Sequence, residues 1–127
     1  MIDSPTPPQP ISIARKLASF RDHWNPRLIA ELNGQEVKLA RLQGEFVWHA
    51  HDDADELFLV VDGELRMEFR DRAVVVRAGE MIVVPRGIEH RPVADAECAV
   101  LLFEPAGMVN TGNAPRSDLT RDRIDRV

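Results

Sequence analysis

From Arg27 to Phe103 the chain is a succession of short β-like runs separated by turn residues, with no helical pattern between them. An Asn33-Gly34 pair divides two apolar segments in "RLIAELNGQEVKLARL", the composition a two-residue hairpin turn requires. Further runs follow at 45–50, 56–61, 64–69, 73–77, 80–84, 89–93 and 98–103. Between them stand "HDDAD", "DG", "RDR", "AG", "PRG" and "ADAE", all charged or turn-forming. Strands at this spacing close into an antiparallel sandwich or barrel, so the expected fold class is all-β.

The flanks read differently. Residues 1–10 hold four prolines and suggest an extended arm. Residues 11–20 suit one short helix, with Ile13, Leu17 and Phe20 at spacings of four and three and Ser12 as its N-cap. After Pro105 the chain turns polar, "AGMVNTGNAPRSDLTRDRIDRV", as expected of a tail laid across the domain or a partner, its last turn marginal as a helix. The expected organisation is an arm and short helix over 1–26, a β-barrel over 27–104 and a tail over 105–127.

A chain of 127 residues, 44% of them apolar, suffices for one domain with a core. The net charge of −5, with Arg and Lys scattered among acids, argues against a nucleic-acid face or a polybasic membrane patch. The single cysteine, Cys98, forms no intrachain disulfide. The amino terminus lacks the basic and apolar regions of a signal peptide, and the run 98–103 is too short to span a bilayer. A cytoplasmic location is the expectation.

The stretch "WHAHDDADEL", residues 48–57, carries the chemistry. On a strand, His49 and His51 point to one face, about 6–7 Å apart along the chain, and can converge on one cation. In the next run Glu56, Phe58 and Val60 share a face. If Phe58 and Val60 line an interior, Glu56 points inward and needs a cationic partner, because an unpaired buried charge is costly. Asp52, Asp53 and Asp55 fall in the turn, where acids are ordinary solvated residues. His90 follows the "PRG" turn and leaves His23 as the only histidine outside the group. Three neutral histidines and one carboxylate leave about two positions of an octahedral shell open for water, substrate or oxygen.

These residues resemble the two motifs of the cupin family. Gly44, His49, His51, Glu56 and Gly63 match the first, with one residue fewer after Gly44 than usual. Gly79, Pro85, Gly87 and His90 match the second, in which Ala94 stands where an asparagine is usual. Fifteen residues lie between the motifs, and the resemblance covers roughly 35–104. It implies a small jelly-roll barrel of two packed sheets with His49, His51, Glu56 and His90 as ligands of one divalent metal ion: iron, manganese, nickel, zinc or copper.

The pocket is less defined. Val47, Phe58, Val60 and Met67 can line an inner cavity for an apolar ligand portion, although plain core is the simpler reading. So it is for Phe46, Met81, Leu101 and Phe103. Arg41 shares a face with Val37 and Leu39 and, if it reaches that cavity, can bind a carboxylate or phosphate bidentately; a solvated side chain is the simpler reading. Trp48, Leu57, Leu59 and Val61 lie on the opposite face, under the helix or at a homodimer contact. Gly63, Gly79 and Gly87 read as turn residues; Trp24 and Asn110 carry no readable signal. Two functions follow: a metalloenzyme acting on a small organic molecule (dioxygenase, isomerase or decarboxylase), or a non-catalytic module binding a small ligand or metal.

Overall fold

The computed structural model describes residues 7–127; the first six residues of the expected arm lie outside the described residues. One helix and eight strands follow: α1 (Ile13–Ala18), β1 (Arg27–Leu32), β2 (Gln35–Glu45), β3 (Glu56–Asp62), β4 (Glu64–Phe69), β5 (Ala73–Arg77), β6 (Met81–Val84), β7 (His90–Pro105) and β8 (Asp125–Arg126). Ser12 caps α1 by accepting from the Arg15 amide. The helix stops at Ala18, two residues short of the expected end, with Ser19 as its C-cap.

The hairpin turn between β1 and β2 is the expected one. Asn33 and Gly34 both take positive φ, 51° and 77°, as a type I′ turn demands. Gly63 is more constrained still. A side chain there would sit 2.9 Å from Cys98 Cβ at a φ of +82°.

β7 organises the architecture. Its first residues pair with β4 while its later residues pair with β3, and along its other edge it follows β2 for nearly its whole length. Two layers therefore share β7 and β2: β6-β3-β7-β2-β1-β8 and β5-β4-β7-β2. Ladder irregularities between Leu42 and Gly44 and between Val60 and Asp62 accompany the change of layer. The sheets do not close, and the fold is the jelly roll the sequence suggests. Every strand pair is antiparallel except β1 with β8.

Alternation places Glu56, Phe58 and Val60 of β3 inward, in the main core with Leu65, Met67 and Val100. A second cluster, Leu17, Phe20, Ile29, Leu39 and Ala99, lies under α1 on the outer face, with Val61 packed against it. Three expectations need correction. Residues 45–50 are not a regular strand; only His49 makes an isolated bridge, to His90. The runs 89–93 and 98–103 are one strand, because Asp95 and Glu97 of "ADAE" turn outward onto Arg66 and Arg41 and the backbone stays extended. Met81 is not core: it is 59% exposed on β6, which pairs with β3 alone. The tail ends in β8, with no helix.

Candidate metal centre

Three pieces of chain converge on the site. His49 and His51 lie on the extended link between β2 and β3, Glu56 opens β3, and His90 opens β7. The His49 amide donates to the His90 carbonyl (3.1 Å) and the His90 amide returns the bond to His49 (2.9 Å). The Gly87 amide donates to the His51 carbonyl at 2.9 Å, so the Pro-Arg-Gly turn is tied to the first histidine pair. This bonding, without a continuous strand, brings the four side chains together. One ligand atom from each of His49, His51, Glu56 and His90 lies within 4.8 Å of the others, and all four residues are buried.

The tautomers follow from the backbone. His49 Nδ1 lies 2.9 Å from the Val47 carbonyl and His90 Nδ1 2.9 Å from that of Ile88. A carbonyl only accepts, so both Nδ1 atoms carry the proton and each neutral ring presents its Nε2 lone pair to the centre. Glu56 Oε1 lies 3.5 Å from His51 Nε2 and 3.8 Å from His90 Nε2. All three of these atoms are buried without a hydrogen-bond partner. Buried polar atoms left without partners, two of them (His90 Nε2 and Glu56 Oε1) able only to accept, are costly in a protein interior, and a divalent cation is a partner that satisfies them together. The donor set fits the ion.

Electrostatics agrees. Burial, reinforced by the neighbouring His90, lowers His49 to about 4, so its imidazole is neutral and ready to ligate at neutral pH. Burial alone would raise Glu56; a donor or positive charge at His51 and His90 holds it well below the usual carboxylate range, the part a bound cation would play where those rings are neutral. The residue stays ionised.

Behind the centre a chamber of about 40 Å³, room for the centres of a few water-sized groups, touches His49 and Glu56. Phe58 lines it, as expected, together with Trp24, Phe46, Lys38, Glu104 and Asn110. Val60 and Met67, with no exposed surface, are sealed in the core, and Val47 packs against that core; none of the three lines the chamber. Arg41 turns to the outer face, where its guanidinium donates to the Phe20 and Leu17 carbonyls and to Glu97. It holds the end of α1 and does not reach the chamber.

Lys38, Glu104, Trp24 and Asn110 are among the lining residues that the sequence did not announce. Lys38 and Glu104 form a buried pair at 3.0 Å, with Glu36 3.3 Å from the same ammonium. Burial and the nearby Glu56 charge push Glu104 up, so it holds a proton beside the ionised Glu56. A signal existed, since alternation puts Lys38 inward with Ala40 and Leu42, an anomalous place for a lone charge. Trp24 stacks on Phe46 at a centroid distance of 4.8 Å and donates to the Gln43 carbonyl. Asn110 reaches the chamber from the tail, which no local pattern foretells.

A family model described as "Cupin domain" matches residues 31–104. A cupin-2 domain protein of Shewanella frigidimarina, known from its crystal structure, is 47% identical, with a TM-score of 0.74 over 75% of this chain and 93% of its own. A Neisseria meningitidis protein is 31% identical, with a TM-score of 0.71 over 77% of this chain and all of its own. The uncharacterised protein YdbB of Bacillus subtilis is 44% identical over 64 residues, half of this chain. The chain spans 57% of the length of that curated relative.

Proposed function

The chain belongs to the cupin family, and on that footing we propose that it is a mononuclear metalloenzyme acting on a small organic molecule, of the dioxygenase, isomerase or decarboxylase type. The observation that carries the reading is the set of buried, partnerless atoms, His51 Nε2, His90 Nε2 and Glu56 Oε1, converging where a cation would sit. A pure scaffold has no use for such a set. A divalent transition ion held there supplies Lewis acidity or, as iron, oxygen chemistry.

The chain's own residues supply the rest. The Val47 and Ile88 carbonyls fix His49 and His90 in the ligating tautomer. Glu56 contributes the one negative charge among the four ligands. Trp24, Phe46 and Phe58 give the chamber an apolar wall that excludes water, and Lys38 with Glu104 places a polar end opposite. One observation favours the alternative of a non-catalytic ligand-binding module: the chamber is small, and Lys38, its one cation, already lies against Glu104.

Turnover separates the two. Protein reconstituted with ferrous iron, manganese, nickel, zinc or copper is offered small hydroxy- and keto-acids, sugars and catechols, with oxygen uptake and product both followed. The enzyme reading expects product or oxygen consumption that vanishes in Glu56→Ala. Saturable binding with no product under any metal would leave the binding module standing and refute the enzyme. A homodimer is part of the same proposal, supported by the exposed Met81 and Val83 on β6 beside half-buried Leu57 and Leu59. Light scattering showing only a monomer, with Val83→Asp unchanged, would refute it.

A further inference from the structure

We infer that the C-terminal segment from Asn110 to Arg121 is a lid whose opening sets the rate at which ions and ligands reach the centre. The inference rests on the metal reading above. All four ligand residues are buried, and the cavity that reaches His51 has residues 107–109, 112 and 113 of the tail as one of its walls. β3 and β7 are tied by a backbone ladder, and the link bearing His49 and His51 is pinned by the isolated His49–His90 bridge and the bond from the Gly87 amide to the His51 carbonyl. The tail packs against that link at Ala50 without joining a ladder there.

Its seat is specific. The Asn113 side-chain carbonyl accepts from the Ala50 amide (2.8 Å), while the Asn113 amide donates to the Ala50 carbonyl (3.0 Å). Ala50 lies between His49 and His51, so the tail grips the residue that joins two ligands. Gly112 lies flat against that link. A side chain there would collide with the Ala50 carbonyl oxygen and stand 3.1 Å from His49 Cδ2. Farther along, Asn110 donates to the Leu119 carbonyl and accepts from the Arg121 amide, and Arg121 donates to the Trp24 carbonyl.

The grip is also light. Thr111 is the only fully buried residue between 106 and 127, and Leu119 alone packs on the main core. Segments with few buried apolar contacts open at low local cost. Beside the lid a cavity of about 280 Å³ between the tail and residues 50–54 already touches His51, giving an entering ion somewhere to arrive. The family match ends at residue 104, so the lid lies outside the matched segment.

Cobalt(II) is the probe, used on the full chain. Its entry is followed by stopped-flow absorbance and its exit by transfer to an excess chromogenic chelator, in wild type, Asn113→Ala and Gly112→Val. A gate alters both directions equally, so entry and exit should each speed up about tenfold or more in the variants while Kd stays within about twofold. Hydrogen exchange on the wild type gives an independent reading, with the Asn113 amide opening far faster than the amides of β7. Unchanged rates in both variants would overturn the lid. So would faster exit with weakened Kd and unchanged entry, since the tail would then only orient His49. An Asn113 amide as slow as those of β7 would overturn it equally. Absence of cobalt binding in every protein would refute the metal reading itself, and the lid's role with it.

Discussion

Glu56→Gln should make the metal-free protein more stable while abolishing tight metal binding. In the apo state His90 Nε2 is a lone pair 3.8 Å from Glu56 Oε1, which also only accepts, and neither has a partner. His51 Nε2, 3.5 Å from the same oxygen, is likewise unpaired. A glutamine of nearly the same shape offers an N–H₂ that donates to an imidazole nitrogen. Satisfying one buried orphan recovers about 1–3 kcal/mol, or roughly 4 °C in Tm per kcal/mol for a domain of this size. The assay is urea and thermal unfolding of chelator-treated wild type and variant at pH 8. With metal added, the order should reverse, since only wild type gains binding free energy. An apo variant less stable than wild type by more than about 1 kcal/mol, well outside the expected sign, would refute the reasoning. The carboxylate would then be stabilising charged histidines and not opposing neutral ones.

Other outcomes follow from the same groups. Because His49 sits near 4 in the fold against an ordinary 6.5, the folded state resists its protonation. The stability this contributes is complete above pH 6.5 and is lost as pH falls toward 4. At about 1.4 kcal/mol per unit, metal-free wild type should lose about 3 kcal/mol relative to His49→Gln over that window; parallel unfolding profiles would contradict this. Lys38→Met leaves buried Glu104 without its partner and should cost about 3 kcal/mol, whereas Lys38→Met with Glu104→Leu should recover much of it; additive unfolding energies would show that the pair is not coupled. Gly63→Ala meets Cys98 at 2.9 Å and a positive φ, and should destabilise by about 1–3 kcal/mol in urea; a neutral change would mean the turn relaxes freely.

The parts of this molecule legible in its sequence are those set by short-range pattern. The period of two in 56–61 placed Glu56, Phe58 and Val60 inward, and the Asn33-Gly34 pair announced its turn. The cluster that could hold a metal ion was legible because His49, His51 and Glu56 lie within eight positions and His90 follows a recognisable turn. What stayed hidden depends on partners far along the chain. Arg41 reads as a candidate anion binder until α1 folds back and offers it the carbonyls of Leu17 and Phe20. Trp24 and Asn110 belong to the chamber only because the two flanks meet at Arg121 and Trp24, 97 positions apart. "ADAE" looks like a turn until Arg66 and Arg41 supply partners for its acids. The buried Lys38 was the one anomaly readable in advance, since strand alternation already pointed it inward.

The central claim is that these four side chains form one metal site, and metal content tests it most directly. Tag-free wild type and His51→Ala, grown in ordinary medium and reconstituted in parallel, are analysed by elemental mass spectrometry against protein concentration. The account expects about one transition-metal ion per chain in wild type and a loss of most of it in the variant, with both proteins folded by circular dichroism. Little metal in wild type after reconstitution, or equal metal in the two proteins, would contradict it.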